Sequence, residues 1–169
     1  MAVTAQQQAI IADQLGREPR GIVRIAAQSS SGVPLVLQMR SLVNDQPFPT
    51  LYWLSSKTLG KAIGQIETAG WVKELEQRIE QEPALREQLL ADQRRYIDQR
   101  WQLMHADDKT RIEALGFTEL FHSYGIGGIT QWDKVRCLHM HYAHHLADGN
   151  VIGRLMDQQF QLHELAVEN

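Results

Sequence analysis

Apolar positions along the chain change spacing twice, and the two changes divide it into an arm, a sheet and a helical part. Residues 4–15, Thr-Ala-Gln-Gln-Gln-Ala-Ile-Ile-Ala-Asp-Gln-Leu, suit a short helix with Thr4 as its cap and Gly16 just past its end. After Pro19 the texture becomes that of strands: Gly21–Ala27, a polar turn at Gln28–Gly32, then Pro34–Arg40, with Leu35, Leu37 and Met39 on one face. A Pro-bounded loop, Asn44–Pro49, leads to a third strand at Thr50–Leu54. Strands this close in sequence favour an antiparallel meander, because parallel pairing needs long crossovers.

From Ser56 the spacing is helical. Ser56 can cap a helix running to Gly70; Trp71, Leu75 and Ile79 then recur every fourth residue, and Leu85, Leu89, Tyr96, Trp101 and Met104 continue beyond Pro83. These stripes read as core-facing, with the Glu, Arg and Gln residues between them as the solvated side. Asp107 and Gly116 bracket another short helix. Thr130 and Asp133 form a capping pattern at the start of a helix expected over 131–147, ended by Gly149. The expectation is one α+β domain over 1–169: a helical arm at 1–19, a small antiparallel three-stranded sheet in 20–55, and a helical part from 56 to 169.

Composition narrows the class. A chain of 169 residues, 43% hydrophobic and 22% charged, is that of a globular protein rather than a disordered one. The longest apolar runs are a few residues and the amino terminus lacks a basic start and an apolar centre, so neither a membrane span nor a signal peptide is expected. One cysteine permits no internal disulfide, which fits a cytoplasmic setting. A net charge of −3 supplies no field for nucleic acid. A protein partner or a homo-oligomer stays open, with the stripes around Trp71 and Trp101 as the surface for it.

Candidate chemistry concentrates in Val135–Leu146, where Cys137 precedes four of the seven histidines: His139, His141, His144 and His145. Thiolate and imidazole suit borderline metals and proton transfer near neutral pH. On a helix over 131–147, Val135, Leu138, Tyr142 and Leu146 share one face, while Cys137, His141 and His144 share the opposite one. That second face is open to a ligand or a second packing layer. Cys137, His141 and His144 are the candidate ligands for a divalent metal; one helix supplies about two of them, so others, such as His105, His122 or an acidic group, must come from elsewhere. His139 alone reads as a core histidine. Cys137 as a nucleophile is disfavoured by a place inside the helix, away from its positive end. The loop Gly125, Gly127 and Gly128, with Arg136 and Lys134 nearby, could hold an anion, although a plain turn is the simpler reading.

Arg136-Cys-Leu-His139, Ala143-His144, Asn150-Val-Ile-Gly153, Phe48-Pro-Thr-Leu-Tyr52 and the glycine loop together resemble an uncharacterised bacterial family, domain of unknown function 501, from about Arg20 to Gly153. The family name assigns no activity. The resemblance implies further cysteines in many members at the positions of Ser29 and Ser56, where they could join Cys137 around zinc or an iron–sulfur cluster. In this chain hydroxyls stand there, so the resemblance implies a polar ligand pocket of Ser29, Ser56, Cys137 and His139 or His144. The expected function is a non-catalytic or regulatory protein with that pocket; the alternatives are a metal- or anion-dependent enzyme using the Cys/His helix, and a protein-interaction module.

Overall fold

The computed structural model describes residues 2–168, so the first and last residues of the expected 1–169 domain lie outside it. Helix α1 (Ala5–Leu15) starts with a reciprocal cap: Gln7 N–H donates to the Thr4 hydroxyl while the Gln7 side chain accepts from Thr4 N–H. Strands β1 (Ile22–Gln28) and β2 (Pro34–Met39) follow. A two-strand hairpin, β3 (Leu42–Val43) with β4 (Gln46–Pro47), then precedes β5 (Tyr52–Leu54). The main sheet has the order β1-β2-β5 and is antiparallel throughout, with Ile25 opposite Leu37 and Leu37 opposite Trp53. It is the α+β arrangement that the strand spacing predicts.

Two details differ from the sequence expectation. The segment after β2 is a hairpin rather than a plain loop, because Asn44 and Asp45 both take positive φ, at 53° and 60°. That pair of left-handed residues makes the tight turn whose twist suits antiparallel strands. Strand β2 is buried on both faces at Leu35, Val36 and Leu37, not on one. It is the central strand, and both α1 and a later helix pack on it.

Helices α2 (Lys57–Thr68), α3 (Trp71–Gln81), α4 (Pro83–Leu103), α5 (Ala106–Leu115) and α6 (Thr118–Ser123) come next, then a short 3-10 turn at Ile126–Gly128. The chain ends in α7 (Leu138–Asp148), α8 (Val151–Phe160) and α9 (Leu162–Glu168). Ser56 caps α2 by accepting from Leu59 N–H, and Pro83 begins α4 where its missing N–H costs nothing. The main core joins β2 and β5 to α2, α3, α4, α7 and α8 through residues such as Val36, Leu59, Leu75, Leu89, Tyr142 and Ile152. A smaller cluster of Met104, Ile112 and Phe121 lies beside it.

Helix α4 departs most from the expected division into apolar stripe and solvated side. Asp92, Gln93 and Arg100 are buried along with Tyr96. Each fastens a loop by its backbone. Asp92 accepts from Val151 N–H at 2.7 Å, Gln93 accepts from Ile126 N–H at 2.7 Å, and the Tyr96 hydroxyl accepts from Leu51 N–H at 2.7 Å. Arg100 donates to the carbonyls of Pro49, Phe121 and Tyr124 at 2.6–2.8 Å. Loops carry backbone groups with no ladder to join, and these polar side chains supply the missing partners inside the protein. Periodicity cannot show this, since a side chain satisfied by a distant loop looks in sequence like one bound for water.

Candidate functional site

The Cys/His helix begins later than its capping pattern predicts. Residues 131–137 are not helical, and α7 starts at Leu138. Neighbouring side chains claim the amides that a longer helix would use: Val135 N–H donates to Glu76 at 3.4 Å and Leu138 N–H to Glu67 at 3.0 Å. The Trp132 indole N–H is drawn away to the carbonyl of Ser123 at 2.9 Å. Cys137 is therefore the extended residue immediately before the helix, with φ −133° and ψ 110°. The expectation that it sits inside the helix is corrected: it lies at the amino-terminal, positive end of the helix.

This shift decides which histidine it meets. Cys137 Sγ lies 3.9 Å from Nδ1 of His139, and the same nitrogen lies 3.2 Å from a carboxylate oxygen of Glu67. Among the described residues, Glu67, Cys137 and His139 are the one group of three such side chains whose ligand atoms all fall within 4.8 Å of one another. The arrangement is anchored on both sides. His139 Nε2 faces the carbonyl of Gly60 at 3.0 Å, which directs Nδ1 toward the sulfur and the carboxylate, and the second Glu67 oxygen is held by Leu138 N–H. The His139 pKa is pushed up to about 9, first by its hydrogen bond with Cys137, against the opposing cost of burial, and further by Gly60 and Glu67.

His141 and His144 go elsewhere. Both are fully buried, because α7 packs against β5 and α2 as well as against α8. The expected open face is thus a second packing layer, and the trio Cys137, His141 and His144 is not assembled as a ligand set. Asn150 holds the two imidazoles. Its side-chain oxygen accepts from Ile152 and Gly153 N–H, capping α8, so its Nδ2 donates to Nδ1 of His144 at 3.0 Å and reaches Nδ1 of His141 at 3.5 Å. His144 stacks on Tyr52, with ring planes 12° apart, and meets the edge of Tyr96. Burial drives the His141 pKa down to about 3 and lowers that of His144 as well. Both are neutral at physiological pH.

The remaining expected site residues serve the backbone. Ser29 accepts from Val33 N–H within the turn between β1 and β2, and it shares a hydrogen bond with Ser31. Ser56 caps α2 one turn before Gly60, and its carbonyl accepts from Gly60 N–H. In the glycine loop, Gly125 N–H donates to Ile129, Ile126 N–H to Gln93 and Gly128 N–H to Gly125, so these three amides already have acceptors. With α7 starting only at Leu138, no helix opens directly behind Gly125, Gly127 and Gly128. Arg136 is exposed, and Lys134 faces Glu76 and Glu80. His105 caps α5 and His122 packs on Trp101, so neither joins the cluster. Trp71 is buried against Phe160, which removes it from the expected interaction surface.

Sequence reading missed Glu67 and the Gly60 carbonyl. Two turns apart on α2, they share the face that meets the start of α7, but nothing in a lone glutamate on a polar helix face marks it as a ligand.

Fold and site together define a small α+β protein with a half-buried thiol, imidazole and carboxylate cluster at the amino-terminal end of a helix. The family model described as "Protein of unknown function (DUF501)" matches residues 25–158, and the chain belongs to that family. No curated protein and no solved structure matches it. No described helix is long and apolar enough to cross a membrane.

Proposed function

We propose that this is a cytoplasmic bacterial protein that binds a thiophilic divalent cation, zinc foremost, between Glu67, Cys137 and His139. The observation that carries the reading is the spacing of the three ligand atoms. Tetrahedral zinc with sulfur at about 2.3 Å and nitrogen or oxygen at about 2.0 Å puts neighbouring ligand atoms roughly 3.3–3.6 Å apart. The 3.2 and 3.9 Å separations around His139 Nδ1 bracket that range. Fixing the far ring nitrogen on a backbone carbonyl is the usual support for a metal-binding imidazole, and Glu67 has the same kind of support from Leu138 N–H. Three protein ligands leave a fourth position for solvent or a small ligand. A lone unpaired cysteine suits the reducing compartment.

The test is titration of chelator-treated protein with zinc against a chromophoric competitor. One equivalent should bind, and Cys137→Ser or His139→Ala should weaken binding at least a hundredfold, while His141→Gln should leave it within a few fold. Absence of stoichiometric zinc, or equal binding by Cys137→Ser, would sink the reading.

A second reading has its own observation: a cysteine at a helix amino terminus beside an imidazole of raised pKa is also the arrangement of a thiolate nucleophile. Metal-free protein would then be alkylated by iodoacetamide far faster than a free thiol at pH 7, and His139→Ala would abolish the excess. Alkylation at the rate of a simple thiol would discard this alternative.

A further inference from the structure

The main sheet carries a row of polar side chains separate from that cluster. Arg24 on β1 stands opposite Gln38 on β2, and Gln38 stands opposite Tyr52 on β5. Residues directly opposite one another share a face of the sheet, so the three side chains lie side by side across it. Arg24 Nε donates to Gln38 Oε1 at 2.6 Å, which fixes the amide and leaves its nitrogen as the spare donor. Gln38 is 4% exposed and Tyr52 2%. Among the described residues, neither the Gln38 nitrogen nor the Tyr52 hydroxyl has a hydrogen-bond partner, and no carboxylate lies within ion-pair distance of Arg24. Both spare atoms keep contact with solvent, unlike the sealed and unpartnered Nε2 atoms of His141 and His144.

Guanidinium, amide nitrogen and phenol are all donors here, and a largely buried donor without an acceptor is costly. Burial raises the Tyr52 pKa to about 12, with Arg24 opposing and Asp148 and Tyr96 adding, so its proton is in place. A ligand for this row therefore presents acceptor oxygens. Its charge follows from the surroundings: Arg24 brings one uncompensated positive charge, while Asp148, held by Arg95 at 2.8 Å, bears on the Tyr52 end. That field suits one negative charge better than two. Its length follows from the sheet. The row spans about 9.6 Å at the backbone, and hydrogen bonds of about 2.9 Å at each end leave roughly 4 Å between the outermost ligand oxygens. A carboxylate with a carbonyl on the next carbon has that reach. Because β1 is an edge strand and Arg24 is half-buried, the Arg24 end is open to approach. We infer that the row binds a small 2-oxo acid, its carboxylate between Arg24 and Gln38 and its carbonyl oxygen accepting from Tyr52. This site is independent of the Glu67, Cys137 and His139 cluster, which lies on α2 and at the start of α7.

Pyruvate is the probe. Titration of the isotope-labelled full chain should shift the Gln38 side-chain amide resonances saturably in the millimolar range, equally in metal-free and zinc-treated protein. Propionate, which keeps the size and charge and lacks the carbonyl, should bind at least tenfold more weakly, and so should pyruvamide, which lacks the charge. Tyr52→Phe removes a hydroxyl with no protein partner, so it should weaken pyruvate about tenfold with the melting temperature unchanged. Arg24→Gln, at the half-buried edge, should weaken it further and provides an independent check. No saturation at tens of millimolar pyruvate, equal affinity for propionate, tighter binding of inorganic phosphate, or full affinity in both variants would each overturn the inference.

Discussion

Acidification should destabilise this protein well above the range where carboxylates titrate, and the reason lies in α7. His141 is fully buried, with its pKa held at about 3 by burial, by the neighbouring His144, and against the weaker opposing effect of Asn150. His144 is lowered in the same direction by burial and Arg95, with Asp148 and Asp92 opposing. In the unfolded chain each imidazole regains a pKa of about 6.5, so between pH 6.5 and 3 the unfolded state takes up more protons than the folded one. The contribution of this histidine pair is therefore complete above about pH 6.5 and falls as pH drops toward the folded pKa, whereas His139, raised to about 9, acts in the opposite direction and loses its own contribution as pH rises from 6.5 toward 9. For His141 alone the linkage amounts to about 2 kcal/mol between pH 7 and pH 5, with His144 adding to it. That is a large share of the roughly 5–15 kcal/mol that holds an ordinary domain together. Urea unfolding at pH 7, 6 and 5 measures it, with His141→Gln as the reference because its amide cannot take a proton. Wild type should lose about 2 kcal/mol more than the variant over that interval. Parallel pH curves for the two proteins would refute the reasoning.

Three further outcomes follow from the packing of α7 and α4. A Cβ added at Gly153 would sit 2.1 Å from the Cβ of His145, backbone-close and unable to swing aside, so Gly153→Ala should cost about 2 kcal/mol or more in urea unfolding. Asn150→Ala removes both the α8 cap and the donor to His144, and should cost about 3 kcal/mol by the same assay. Tyr96→Phe leaves Leu51 N–H buried without its acceptor; a loss of about 1–2 kcal/mol with zinc affinity unchanged is expected, and a change in metal binding would show that the β5 loop and the cluster are coupled.

What could be read from the sequence alone was whatever depends on local spacing. The caps at Thr4 and Ser56, the meander, and the stripe Trp71, Leu75 and Ile79 all follow from residues a few positions apart, and they stand in the structure as expected. The start of α7 did not, because the acceptors for Val135 and Leu138 come from Glu76 and Glu67 on other helices. The same long reach hid the roles of Asp92, Gln93 and Arg100. Cys137 and, through the family resemblance, His139 were named from the sequence as neighbours in a pocket, but Glu67 was not. A shift in where the helix begins exchanged His141 and His144, which a longer helix would align with it, for His139 beside it and Glu67 across from it. The motif Asn150-Val-Ile-Gly153 also gains a physical meaning only in three dimensions: its first residue caps α8 and holds the histidine pair, and its last lets α8 approach His145.

Zinc K-edge X-ray absorption on the one-to-one complex bears most directly on the gathering of Cys137, His139 and Glu67 around one ion. The spectrum should contain a single sulfur at about 2.3 Å, an imidazole signature, and the remaining nitrogen and oxygen ligands at about 2.0–2.1 Å, with the sulfur lost in Cys137→Ser. A shell with no sulfur, or one unchanged by removing the thiol, would contradict the account.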